Sequence, residues 1–208
     1  MLEIAVLCRA KRSIFTDQRI CTERGVPRVL RDHDAASHGY QLVNSDHIML
    51  MQFLQMYVEF RDEACDDPER LKAWCSSRRL DMAALDEAAA EVAALRTWLA
   101  THPRITVKYH PQKRVTPILP ALVRAFSSQL ALAVRGYPSS AVFMTVPHGE
   151  CARVASGSLI SLSHSGDWVI YNSMSHCLGK NEMHLVSAVD PQWLFVSVSP
   201  RASSDDTL

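Results

Sequence analysis

The sequence has no excess of charge of either sign. Lysine plus arginine number 22, aspartate plus glutamate number 22, and the formal net charge is zero. Bulk electrostatics therefore give no reason to expect a nucleic-acid partner, and any such site must be a local patch. Closely spaced cysteine pairs are also missing. The six cysteines, at positions 8, 21, 65, 75, 151 and 177, are scattered with no C-x-x-C, a pattern of free thiols in a reducing compartment rather than of a disulfide framework. No run is long and apolar enough to span a bilayer. The opening residues Met1 to Leu7 place Glu3 where a signal peptide wants basic charge, and no small-residue cleavage site follows. An intracellular protein is the expectation. The phosphate cradle G-x-x-x-x-G-K-S/T is absent as well. Without its backbone nest and lysine, and without a carboxylate to hold Mg²⁺, ATP hydrolysis has no apparatus here.

Structural-zinc spacing is lacking too. Among nine histidines, His33 and His38 lie close in sequence, as do His176 and His184 with Cys177 beside the former, but none fits a zinc pattern. No metal and no cofactor is expected in this chain.

What is present is an ordinary globular composition, 48% hydrophobic and 21% charged over 208 residues, enough for one large or two small domains. The chain is organised around Asn44 to Tyr57. Ser45 can cap a helix and Asp46 places negative charge at its positive dipole end. Ile48, Met51, Leu54, Gln55 and Val58 share one face, while Met49, Leu50, Phe53, Met56, Tyr57 and Phe60 fill the others. A helix apolar on most sides is packed between neighbours. Gln52, Gln55 and Glu59 make it too polar for a membrane span. Ser45, Asp46 and His47 are adjacent and read as a cap, not as a catalytic triad. His47, in the first turn, is a candidate for a phosphate at the helix N-terminus.

Around that helix, residues 2–10 read as a short apolar helix and 16–44 as a polar connection with Arg19, Arg24, Arg28 and Arg31. Pro68 opens a further helix through Leu71 to Cys75. Asp81 caps a long one whose stripe is Leu85, Ala88, Val92, Leu95 and Leu99, and His102-Pro103 ends it. From residue 104 the pattern alternates. Arg104 to His110 reads as a strand and Pro111 to Arg114 as a basic turn. Pro117 and Pro120 open a helix with the stripe Leu122, Val123, Phe126, Leu130 and Val134, ended by Gly136. Six short strands follow, at 141–146, 151–155, 159–163, 167–172, 184–189 and 193–198. The expectation is an α+β chain: a helical bundle over residues 1–103, an OB-like barrel over 104–198, and a polar, disordered tail over 199–208.

Several stretches carry a resemblance. Ser45-Asp46-His47 running into an apolar helix, then Trp74-Cys75 and Leu80, resembles the helicase-associated region of DEAH-box RNA helicases. Leu2-Glu3-Ile4-Ala5 and Ser13-Ile14-Phe15 are similar to the family segment just before it. Trp168-Val169-Ile170-Tyr171, then Val186-Ser187-Ala188-Val189-Asp190-Pro191-Gln192-Trp193-Leu194, resembles the signature that closes the family's OB-like barrel. The resemblance covers about residues 2–195. The chain departs from it at Arg78-Arg79, where the family has an Asn-Phe pair. It departs again at Ala155-Ser156-Gly157-Ser158, where the family has His-Pro-Ser-Ser, and at Gln129, near a family glycine.

The resemblance implies the accessory region of an RNA helicase, starting within the helicase-associated segment. It would guide single-stranded RNA and offer its barrel to a protein activator. ATP and Mg²⁺ belong to two RecA-like motor domains, upstream or on another polypeptide, and no Asp-Glu-Ala-His motif is present here. The residue types that suit an RNA strand are cations interleaved with an aromatic ring. Lys108, Tyr109, Lys113 and Arg114 form one such segment, and Arg124 and Arg153 stand near the barrel. Tyr137, Phe143, Trp168 and Tyr171 are stacking candidates, with the last two placed in the core by strand alternation. The rival reading is a structural or adaptor protein in a ribonucleoprotein assembly. A basic groove on the barrel would favour the first reading, and a neutral barrel with an exposed apolar patch the second.

Overall fold

The computed structural model describes residues 1–10, 12–16, 44–64, 67–102, 118–134, 142–155, 158, 160, 167–177 and 179–195. These form helices followed by a closed five-stranded barrel, an α+β arrangement.

The helices start where capping side chains stand. α1 is Leu2–Arg9. α2 is Asp46–Glu63, and Ser45 at its N-cap has extended backbone and a hydroxyl that accepts from the Ile48 N–H at 3.2 Å. α3 is Pro68–Ser77, with proline in its first turn and the Asp67 carboxylate accepting from the Arg70 N–H at 3.0 Å. It ends in a Schellman motif: the Leu80 N–H donates to the Cys75 carbonyl at 2.9 Å and the Arg79 N–H to the Ser76 carbonyl at 3.1 Å. Arg79 occupies the left-handed position at φ 54° that glycine usually fills. α4 is Met82–Thr101, capped by Asp81, whose carboxylate accepts from the Ala84 N–H at 3.1 Å.

α2 is buried along nearly its whole first three turns, and Phe53, Leu54 and Tyr57 meet Leu85, Ala88 and Val92 of α4 and Val6 and Leu7 of α1. Each large apolar side chain removed from water there contributes roughly 1.5–3 kcal/mol. Polar ties sit at the rim. Tyr57 donates its hydroxyl proton to Asp86 at 2.6 Å, and Arg96 of α4 pairs with Glu3 of α1. Residues 14–16 strap the turn between α3 and α4: the Asp81 N–H donates to the Ile14 carbonyl at 2.8 Å and the Thr16 N–H to the Arg79 carbonyl at 3.0 Å.

After α5, Ile118–Ala125, come β1, Leu130–Ala133, β2, Val142–Thr145, β3, Cys151–Val154, β4, Trp168–Cys177, and β5, Lys180–Val189. The barrel closes in the order β1-β2-β3-β5-β4, with β3 parallel to β5 and the other pairs antiparallel. Its interior holds Ala131, Phe143, Ala152, Val169, Tyr171, Met183 and Val186. A barrel this small is filled by side chains and leaves no channel.

Two elements differ from their sequence reading. The expected helix through Val134 stops at Ala125, and Leu130–Ala133 is β1. Leu-Ala-Leu-Ala satisfies both periods, and pairing to β2 on one side and β4 on the other decides for strand. The expected strand from Trp193 is instead a short helix, α6, Pro191–Phe195. Asp190 starts it by accepting from the Gln192 N–H at 2.9 Å, with proline in the first turn. The strands placed at 167–172 and 184–189 are β4 and β5, each longer than its pattern suggested. Of the strand placed at 159–163, only Ile160 is described, in a helical turn. The strand at 104–110, residues 17–43 of the polar connection read at 16–44, and the tail lie outside the described residues.

β4 and β5 change face midway. Tyr171 and Met174 both pack toward the barrel interior, as do Met183 and Val186. Strict alternation forbids both pairs. The change falls at Leu185, a bulky residue at φ 51°. Beyond it, Leu185 packs on the helical core, while Ile170 and Val189 join Ile4, Ile48, Met51, Leu122 and Val123 in a second core that glues helices to barrel. We call this contact the seam. No described helix is long and apolar enough to cross a membrane.

Candidate functional site

The seam gathers the polar residues with which the sequence opens α2. Asn44 to His47 lie along the 186–188 stretch of β5. The Ala188 N–H donates to the Asn44 carbonyl at 2.8 Å, and the Val186 N–H donates to the Asp46 carboxylate at 2.7 Å. Ser45 and Ser187 form an antiparallel bridge, and their hydroxyls lie 2.6 Å apart. The Ser187 hydroxyl also meets Nδ1 of His47 at 2.7 Å. Ser45, Asp46, His47 and Ser187 are all buried, Ser187 and His47 completely.

Proton order follows from the donors and acceptors. The Ser45 oxygen accepts from the Ile48 N–H, and its own proton goes to Ser187. The Ser187 proton then goes to Nδ1 of His47. In this order every hydroxyl donates once, which assigns the proton of the neutral His47 ring to Nε2. Nε2 has no hydrogen-bond partner among the described residues, and the ring lies against Phe126 with centroids 4.9 Å apart. Burial pushes the imidazole pKa down from 6.5 to about 4. A serine–histidine contact invites a nucleophilic reading, but a nucleophile must meet substrate, and neither Ser187 nor His47 has any exposed surface. This cluster is a structural clasp.

That finding corrects the reading of His47 as a phosphate contact. Its ring is enclosed between β5 and Phe126 and neutral at physiological pH, so it neither reaches nor attracts an anion. Phe143 is likewise corrected, since it is a core residue of the barrel and not a stacking platform. Tyr171 is buried in the barrel core and Trp168 packs partly buried at the seam, as alternation indicated. Arg124 is exposed in the last turn of α5, and Arg153 is exposed on β3, where its Cα pairs with those of Val142 and Glu182. No described contact joins the two arginines. Lys108, Tyr109, Lys113, Arg114 and Tyr137 lie outside the described residues.

Two further polar groupings were not anticipated. At the tip of the β4–β5 hairpin, Ser175 meets Nε2 of His184 at 2.7 Å, and His176 Nδ1 meets Asn181 Oδ1 at 2.8 Å. Among the described residues no carboxylate orients the far side of the His184 ring, so this exposed pair lacks the third member of a triad. On the helical part, Phe60 and Trp74 stack at 5.1 Å, with the Arg78 guanidinium 4.5 Å from the Trp74 centroid and that of Arg70 5.2 Å from Phe60. Cations thus cover both ends of an aromatic stack. Arg78 was noted in the sequence only as a departure from an Asn-Phe pair. The signal for the stack was the spacing Arg70, Trp74, Arg78, four residues apart on one helix face. Ser187 also had a signal, as the lone polar residue between Leu185 and Val189 on an otherwise apolar strand face.

Among the described residues no group of His, Cys, Asp and Glu side chains is gathered to hold a metal. Neither the models of known protein families nor the curated proteins give a match to this chain.

Proposed function

We propose that this chain is an accessory region resembling the C-terminal part of an ATP-dependent DEAH-box RNA helicase, guiding single-stranded RNA while RecA-like domains outside this chain hydrolyse ATP. One observation carries the reading. The closed order β1-β2-β3-β5-β4, with β3 and β5 parallel and the barrel following a run of helices, supports the OB-like barrel that the resemblance implies. Further support comes from where the resembling motifs fall. Ser45-Asp46-His47 opens α2, Trp168 to Tyr171 lies in β4, and Trp193 and Leu194 pack at the seam. The motifs therefore act as structural joints between helices and barrel. RNA contact then falls to the cations singled out in the sequence, Lys108, Lys113 and Arg114 with Tyr109, together with Arg124 and Arg153, which are exposed. OB barrels hold single strands by such a basic groove with stacking rings.

A second reading, a non-catalytic adaptor in a ribonucleoprotein assembly, is favoured by the outer face of β2 and the turn after it. Met144 is 42% exposed and Val146 52% exposed, and Arg153 nearby is paired in register with the acid Glu182. An aliphatic face of low net charge suits a protein partner, such as an activator docking on the barrel.

The two readings separate in one experiment, fluorescence anisotropy of a labelled single-stranded RNA and of a duplex of equal length. The RNA-guiding reading expects the single strand to bind more tightly than the duplex. Absence of binding to either at low salt removes that reading from the isolated chain and leaves the adaptor.

A further inference from the structure

β3 covers only the first part of β5. Their pairing consists of Arg153 with Glu182 and Val154 with Met183, and the Ala155 N–H adds one bond to the Met183 carbonyl at 2.9 Å. β5 then continues to Val189, where β4 is its only partner among the named strands of the described residues. Its other edge, from Val186 to Ala188, would present two unpaired N–H groups, a costly arrangement in a closed barrel. The helical part covers that edge. Asn44 supplies a backbone carbonyl, Asp46 a carboxylate, and Ser45 bridges Ser187 as a neighbouring strand would.

Outside the clasp the seam is mainly apolar, with one hydrogen bond from the Asn172 side-chain amide to the Cys8 carbonyl at 3.3 Å. Ile48, Met51, Leu122, Val123, Ile170 and Val189 hold the surfaces together but do not fix an angle between them, because apolar attraction has no direction. The polar clasp is the fully buried directional part of the seam, and its side-chain centre is Ser187, which touches both Ser45 and His47.

We propose that the Asn44–Ser45 backbone, with the Asp46 carboxylate that opens α2, covers the edge of β5 in the place of a neighbouring strand, and that Ser187 is the positioning residue that fixes the barrel's orientation on the helices. The two parts then open together or not at all, and a regulator bound to the barrel moves the helices with it. The left-handed Leu185 fits this device, because it turns β5 so that Val186 meets Asp46 while Leu185 itself packs on the helical core. The proposal does not depend on RNA binding.

The test uses the full chain. By native-state amide exchange, Val186 and Ala188 should share the slowest class with Val169 of the barrel and Met51 of α2, since all are released by one opening. Residual dipolar couplings should fit one alignment tensor for helices and barrel together. Ser187→Ala should split that tensor in two and speed exchange at Val186 and Ala188 roughly tenfold to a hundredfold, the range for an unsatisfied buried group. Ser187→Thr, which keeps the hydroxyl, should retain the single tensor. The proposal is overturned if wild-type Val186 and Ala188 exchange about tenfold or more faster than Val169, because the seam would then open alone. It is equally overturned if Ser187→Ala keeps one tensor. Should Ser187→Ala not fold, the wild-type exchange pattern decides.

Discussion

Ser187 and His47 stand 140 residues apart in sequence and share a 2.7 Å hydrogen bond with no exposed surface on either. That bond makes the helix-opening motif a property of the barrel as well. It also gives His47 a definite effect on stability.

In the folded chain burial holds the His47 pKa at about 4, whereas the unfolded chain restores about 6.5. The unfolded state therefore binds more protons between these values, and stability is full above about pH 6.5 and falls progressively toward about pH 4. The loss amounts to about 3 kcal/mol when complete. Urea unfolding at pH 7 and pH 4.5 should show this decline, and His47→Gln should flatten part of it. An identical pH slope in the variant would remove His47 from the account.

Arg79 holds the left-handed position of the Schellman motif at φ 54° while its side chain is exposed. Glycine adopts that conformation without a Cβ clash. Arg79→Gly should raise stability by roughly 0.5–1 kcal/mol, read as a higher urea midpoint at unchanged slope. A drop in midpoint would mean that the arginine side chain contributes more than its backbone costs.

Trp74 is half-buried between Phe60 and Arg78. Trp74→Ala removes the stack and part of the helical core, and should cost roughly 2–4 kcal/mol. Trp74→Phe keeps a ring over Phe60 and should recover most of that loss in the same unfolding measurement.

Asp81 caps α4 and pairs with Arg12 at 2.9 Å. The ion pair is exposed at Arg12 and contributes little, so Asp81→Ala should cost about 1 kcal/mol, nearly all from the cap. Asp81→Ser, which caps without charge, should sit close to wild type.

What the sequence disclosed was local. Ser45 and Asp81 read as caps because a cap is decided within three residues, Pro68 reads as a first-turn residue, and the Leu85, Ala88, Val92 stripe reads directly as a buried face. What it concealed depended on distant partners. Leu130 to Ala133 satisfies both helix and strand, and only β2 and β4 decide between them. His47 looked like an anion contact because its burial is imposed by β5 and Phe126. Leucine gives no hint of a left-handed φ, so the change of face at Leu185 had no local mark. Of the proposed RNA contacts, Arg124 and Arg153 are exposed, and exposure alone is not a site. The cation-rich segment from Lys108 to Arg114 lies outside the described residues.

The central claim, that the chain holds single-stranded RNA through its cationic side chains, is tested most directly by the salt dependence of binding. Each phosphate contact on a single strand contributes about −0.7 to the slope of log K against log salt. Measured across a salt series, the wild-type chain should bind with a clearly negative slope, and the Lys113→Ala, Arg114→Ala double variant should bind more weakly with a slope shallower by about 1.4. Binding whose slope is the same in the double variant, or no binding at the lowest salt, contradicts the claim.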